Sequence, residues 1–212
     1  NNCTLSGNTA IWGGGGAYTG MLNNSIVYYN SSPIGPNYDG ATLSYSCTVP
    51  DPGGVGNITN APMFVDTNAS NYRLQAGSPC IDRGANVYMP SAADLDGVPR
   101  PLDGDTNGTA IVDMGCYEYA NSQADSDGDI MLDVWELQYG LNPTDPSDAS
   151  LDWDSDGLAN QGEWIADTDP TNKASLLRII GVEWDPLGAR VEWEGGMWAR
   201  QELDARSDLC DK

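Results

Sequence analysis

Histidine is absent from the 212 residues, and lysine and arginine together number only nine. Without histidine there is no Ser-His-Asp or Cys-His constellation and no His-ligated zinc. Acids number 31, so the formal charge is −22. Nothing could neutralise a polyanion, and nucleic acid is excluded as a partner. No apolar run approaches the ~20 residues that a membrane span needs, and no basic start followed by an apolar stretch marks a leader. The chain opens on Asn1-Asn2 and reads as an internal piece of something longer.

What charge there is lies in blocks. Residues 1–123 carry ten acids and three bases, residues 124–172 carry thirteen acids and no base, and residues 173–212 carry eight acids and six bases. Thirteen uncompensated carboxylates repel one another unless a cation binds them. Three segments follow: 1–119, 120–172 and 173–212.

The first contains a repeat. Asn1-Asn2-Cys3-Thr4-Leu5, Asn23-Asn24-Ser25-Ile26-Val27 and Tyr45-Ser46-Cys47-Thr48-Val49 follow one another at a 22-residue step. A period in the low twenties, without a leucine-rich pattern and with Asn, Gly, Ser and Thr dominant, predicts parallel rungs of a β-solenoid. Alternation predicts inward columns of Cys3, Ser25 and Cys47 and of Leu5, Val27 and Val49, with Asn2, Asn24 and Ser46 facing out. Two rungs separate Cys3 from Cys47 by about 9.6 Å, beyond disulfide reach, so these two are expected to be unbonded.

Then come Ala61-Pro62-Met63-Phe64-Val65-Asp66, Asn71-Tyr72-Arg73-Leu74, Ser78-Pro79-Cys80-Ile81-Asp82, Asp94-Leu95-Asp96-Gly97 and Val112-Asp113-Met114-Gly115-Cys116-Tyr117-Glu118-Tyr119. In this order the series resembles the last coils of bacterial right-handed parallel β-helix proteins, large secreted or surface-anchored chains. The resemblance implies an exported chain. For it, a Cys80–Cys116 disulfide and a pair of buried thiols are both open readings, with Cys210 left over. Many such folds are polysaccharide lyases or glycoside hydrolases. Residues 1–60 hold only Asp39 and Asp51 as acids and no base, so a catalytic face is missing. Asp94, Asp96, Asp103 and Asp105 read as turn residues and Arg100 as a local ion-pair partner. Asp103-x-Asp105-x-Asn107-Gly108 opens like a calcium loop, but Met114 stands where the closing carboxylate belongs.

The acidic block is the most specific signal. Asp152, Asp154 and Asp156 occupy positions one, three and five of a twelve-residue calcium loop. Gly157 stands at six, the Leu158 carbonyl at seven, Asn160 at nine and Glu163 at twelve. A hard cation wants six to eight oxygens, and alternate residues of a tight loop supply them. The same pattern begins at Asp125, with Asp127, Asp129, the Met131 carbonyl, Asp133 and Glu136. Here Ile130 stands at position six, where a positive φ strains a β-branched residue. Both loops run into short helices, stopped by Gly140 and near Asp169-Pro170, and Trp135, Trp153 and Trp164 read as the core of a small module. The pair resembles the thrombospondin type 3 and dockerin-like calcium modules of secreted proteins, and about two Ca2+ ions are expected.

Residues 173–212 alternate as antiparallel strands over Leu176–Trp184, Ala189–Trp193 and Trp198–Leu203, the start of a β-sandwich-like module. The whole is expected to be mainly β: right-handed parallel β-helix end coils, a small EF-hand-like calcium module with two short helices, and a partial antiparallel β module. The expected role is a non-catalytic, calcium-stabilised structural or adhesive segment, extracellular or at a bacterial cell surface, whose parent meets a polysaccharide or another surface protein. The alternative is the C-terminal part of a β-helix carbohydrate-active enzyme with its catalytic coils upstream. A third reading, carbohydrate binding, would use Trp12, Tyr28 and Tyr29.

Overall fold

Glycine clusters interrupt the apolar runs so often that no strand in the first half of the chain exceeds four residues. The computed structural model describes residues 1–185 and 188–194. The chain divides into two compact units between Pro146 and Ser147. The first begins with β1 (Thr4–Ser6), β2 (Ala17–Tyr18), β3 (Met21–Asn23), β4 (Ile26–Tyr28), β5 (Tyr38–Asp39), β6 (Thr42–Ser44) and β7 (Cys47–Thr48). β1, β4 and β7 stack in parallel, and the parallel pairs β2–β5 and β3–β6 flank them. β8 (Phe64–Asp66) and β9 (Asn71–Leu74) form an antiparallel hairpin, and α1 (Asp133–Tyr139) comes last. The second unit carries α2 (Asn160–Ala166) and the antiparallel pair β10 (Arg178–Asp185) and β11 (Gly188–Glu194). The strand expected over Trp198–Leu203, and Cys210, lie outside the described residues.

This corrects the expected fold class. The described residues form a mixed chain of short elements in sheets of two or three strands, with no solenoid. The pairing shows this. Leu5 faces Val27 at a step of 22, but Val27 faces Thr48 and Leu22 faces Leu43 at a step of 21. A last isolated bridge joins Cys47 to Ile58 after a much shorter excursion. The parallel pairing ends there: the next strands, β8 and β9, pair antiparallel, and no further parallel pair follows among the described residues.

The change of step rearranges the columns. Thr4, Ile26 and Cys47 align, rather than Cys3, Ser25 and Cys47. Cys3 is exposed. The asparagines expected to face out are buried: Asn2 and Asn24 adopt φ of 49° and 50°, a left-handed corner that asparagine tolerates. The Asn24 amide donates to Asn2 Oδ1 (3.2 Å) and to the Ala85 carbonyl (3.0 Å), and its Oδ1 accepts from the Ala85 N–H (2.8 Å). Asparagine thus replaces backbone pairing where the later segment closes over the strands.

Ile26, Cys47, Phe64, Leu74, Cys80, Ile81 and Met114 form the core of this unit. Gly115 covers it at φ +102°, and a Cβ there would meet Ile26 Cδ1 and Thr4 Oγ1 at 2.9 Å. Beside it Arg100 is buried, and its ion-pair partner is Glu118. Its Nε lies 3.1 Å from Glu118 Oε2, an ion pair off the hydrogen-bond direction, and its Nη2 donates to the Gly115 carbonyl (3.2 Å). Asp113 is buried nearby, accepting the Asp82 and Tyr119 N–H groups at 2.8 and 2.7 Å.

Glu118 thus has the guanidinium, while Asp113 is held by backbone N–H groups. Burial pushes Glu118 up to about 7, against the pull of Arg100. Asp113 is pushed up by burial first and by Glu118 second. Glu118 in the folded unit binds a proton more tightly than it does in the unfolded chain, where it titrates near 4.5. The stability this proton contributes is full below pH about 4.5 and lost as pH rises through about 7. With calcium chelated, the first unit should resist urea better at pH ~5 than at pH ~8, by on the order of 2–3 kcal/mol. Glu118→Gln should flatten that slope. A wild-type midpoint that climbs with pH contradicts this account.

Candidate metal centres

Each acidic loop is built by its own carboxylates. In the first, the Asp125 carboxylate accepts the N–H groups of Gly128 (2.8 Å), Asp129 (3.2 Å) and Ile130 (3.0 Å). Asp127 accepts from Asp129 (3.3 Å) and Asp129 from Met131 (2.9 Å). In the second, Asp152 accepts from Asp156 (3.1 Å) and Gly157 (2.9 Å), Asp154 from Asp156 (3.1 Å) and Asp156 from Leu158 (2.8 Å). These Asx-type turns hold carboxylate oxygens of Asp125, Asp127 and Asp129 within 4.8 Å of one another, and do the same for Asp152, Asp154 and Asp156. Both groups can hold a metal ion.

The closing residues come from the helices. α1 and α2 have seven residues each, too short to persist alone. Glu136 and Glu163 lie in their first turns, where the helix dipole favours negative charge, and both are fully buried. α1 ends at Gly140 (φ 80°), whereas α2 ends at Asp167 in the left-handed region (φ 55°), just ahead of the Asp169-Pro170 stop read from sequence. Of the three tryptophans read as module core, Trp135 is buried against Tyr139 (centroids 5.0 Å apart), while Trp153 is half-exposed.

The two loops part at position nine. Asn160 donates from Nδ2 to the Asp148 carbonyl (2.9 Å), and its Oδ1 is buried without a protein partner. Asp133 instead spends its carboxylate on Ser126, accepting its N–H and its hydroxyl at 2.7 Å each. It braces the loop. Met131 is fully buried at position seven, and Leu158 is half-buried at the equivalent place.

In the second loop, Oε2 of Glu163 and one oxygen each of Asp154 and Asp156 are also buried without protein partners, while Thr168 donates to Glu163 Oε1 at 3.4 Å. Burial first, then the charges of Asp154 and Asp156, hold Glu163 up to about 7. Asp154 is likewise raised, by burial and then by Asp156. Asp154 and Asp156 converge with Asp152, and a cation held there would relieve the repulsion among these carboxylates.

Position six differs as expected: Ile130 has φ 78° and Gly157 φ 102°. Position four inverts this, with Gly128 at φ 82° and Ser155 at φ 64°. Each loop thus carries one non-glycine residue in left-handed backbone. Ile130 is half-exposed, so replacing it forfeits little packing. Ile130→Gly should stabilise the calcium-saturated chain by about 0.5–1 kcal/mol, once glycine's extra unfolded-state freedom is deducted. Denaturant midpoints in calcium measure this, and a lower midpoint for the variant counts against strain at Ile130.

A third acidic group was missed by sequence reading. Asp82 joins Asp103 and Asp105 within 4.8 Å, accepting the N–H groups of Gly104 (3.4 Å) and Asp105 (2.7 Å). No spacing rule links Asp82 to a loop so far along the chain. Arg73 pairs with Asp96 and Asp94 accepts the Glu118 N–H (2.9 Å), so the acids read as one sequence cluster serve three separate places. Trp12 is largely exposed, but Tyr28 and Tyr29 meet edge-on at 69°, and the Tyr28 hydroxyl donates to the Thr59 carbonyl. The two tyrosines do not form a flat stacking platform. Among the described residues no helix is long and apolar enough to cross a membrane. Comparison of the chain with protein-family models, with curated proteins and with solved structures found no match.

Proposed function

We propose that this chain is a calcium-stabilised structural segment of a secreted or surface protein, the two acidic loops each taking one Ca2+. The observation that carries the reading is the set of buried oxygens of Asp154, Asp156, Asn160 and Glu163 that no protein donor satisfies. Unpartnered carboxylate oxygens in the interior are costly, and a divalent cation removes that cost at every one of them together. The donor set is all oxygen, which favours a hard cation over zinc or copper. The twelve-residue spacing with a closing glutamate suits the larger, flexible shell of calcium better than the strict octahedron of magnesium. It also underlies the resemblance to thrombospondin type 3 and dockerin-like modules.

Calcium at millimolar concentration outside the cell would saturate such sites, which supports placing the segment there as a structural or adhesive element. A polysaccharide or another surface protein would be the parent's partner. The test is a calorimetric titration of the purified chain with calcium and, separately, with magnesium. Two calcium ions should bind, and Glu136→Gln and Glu163→Gln should each remove one. Absence of heat up to millimolar calcium, or magnesium binding of equal strength, would sink the proposal.

A further inference from the structure

We infer that a neutral saccharide binds in the cleft between the parallel stack and the β8–β9 hairpin, with Tyr29 and Tyr72 as its aromatic walls. The cavity there measures about 550 Å³, the size of a small-molecule site. Ser6 closes β1 and Tyr29 follows β4, while the hairpin supplies Phe64 from β8, Thr67 from its turn and Tyr72 from β9. Buried Phe64 is the floor. The Tyr72 ring meets it edge-on with centroids 5.3 Å apart, and the Tyr29 ring meets it at 6.3 Å, tilted by 60°. Tyr29 is half-exposed, so aromatic surface reaches the opening.

The polar groups narrow the class of ligand. Ser6, Tyr29, Thr67 and Tyr72 all end in hydroxyls, and among the described residues none of these hydroxyls hydrogen-bonds to the chain. Elsewhere such groups are used by the fold: the Tyr28 and Tyr38 hydroxyls each donate to a carbonyl. No charged side chain lines the cleft. A sugar ring matches this set, with an apolar C–H face for the aromatic rings and a rim of hydroxyls that both donate and accept. An anionic polysaccharide would meet no cation in the cleft and a chain of net charge −22 around it. A purely apolar ligand would cover the four hydroxyls without giving them partners.

The backbone points to the same place. Tyr29 (φ 60°) and Met63 (φ 54°) border the cleft in left-handed backbone, which a bulky residue adopts only at a cost, and such strain gathers at binding sites. Trp12 lies beside a different cavity and has no part in this one. The inference rests on the part of the proposed function that gives the parent a polysaccharide partner, and none of its residues belongs to an acidic loop.

The full chain, in calcium, is run through native gels containing β-1,3-glucan, glucomannan, galactomannan or dextran and, separately, polygalacturonate. At least one neutral polysaccharide should retard it saturably, and polygalacturonate should not. Thr67→Arg carries a long charged side chain to the opening from an exposed turn position, and it should abolish the retardation. Tyr72→Phe keeps the ring and the packing on Phe64 but loses the hydroxyl, and it should weaken binding several-fold. Trp12→Ala should change nothing. Retardation by no neutral polysaccharide, or equal retardation by polygalacturonate, overturns the inference. So does retardation that survives both Thr67→Arg and Tyr72→Phe unchanged, or that is lost in Trp12→Ala. Calcium heats are measured on the same preparation, so a chain that binds saccharide without calcium, or calcium without saccharide, sinks one reading and leaves the other.

Discussion

Millimolar calcium is expected to stabilise the unit that begins at Ser147 by about 2.7 kcal/mol, taking a dissociation constant on the order of 10⁻⁵ M for the Asp152–Glu163 loop. Few apolar side chains of that unit are fully buried among the described residues, so a term of this size is a large share of its stability. The decisive variant is Glu163→Gln, because its effect should change sign with the metal. In calcium the substitution removes the bidentate closing carboxylate, and most of the 2.7 kcal/mol goes with it. In chelator the same substitution should be neutral or stabilising. Glu163 is buried and its ionised form is disfavoured by burial and by Asp154 and Asp156, so an uncharged amide relieves the loop. Chemical denaturation of both proteins, with and without calcium, gives the four numbers. A variant equally weak in both conditions would mean that Glu163 serves packing alone.

Arg100→Met should cost the first unit on the order of 3–5 kcal/mol near neutral pH, the cost of leaving a buried charge without its partner. Glu118 Oε2 loses its ion-pair partner, and Asp113 remains close by. Two further results separate this cause from lost volume. Lowering the pH to about 5 should shrink the deficit, because Glu118 then takes up a proton and its charge no longer needs a partner. Adding Glu118→Gln should also restore part of the stability, so that the double variant is less damaged than the sum of the singles. A deficit unchanged by pH and additive with Glu118→Gln points to cavity formation instead.

Local patterns carried well where a single loop holds all the chemistry. The carboxylates of Asp152, Asp154 and Asp156 converge as their spacing required, since Asx-type turns are made within a few residues. At Ile130 the sequence already implied a left-handed residue, and the backbone holds one there. At Asp133 the residue type fits position nine, and Ser126 presents both its N–H and its hydroxyl to that carboxylate, a local hydrogen-bonding partner that a spacing rule does not show.

What the amino-acid sequence determined by itself was therefore short-range: the acidic loops, the glycine and asparagine corners, the antiparallel pair near the end, and the exclusion of polyanion partners by charge. Only the tertiary structure decided what came from far apart. The parallel stack ends after β7 and an isolated bridge from Cys47 to Ile58, and it gives way to an antiparallel hairpin and loops rather than a solenoid. Asn24 turned inward because Ala85 offered it a donor and an acceptor. Arg100 found Glu118, and Asp82 found Asp103 and Asp105. In each case the partner lies beyond the reach of a turn. A buried polar or charged group takes whichever neighbour satisfies it at least cost, and packing, not spacing, supplies that neighbour.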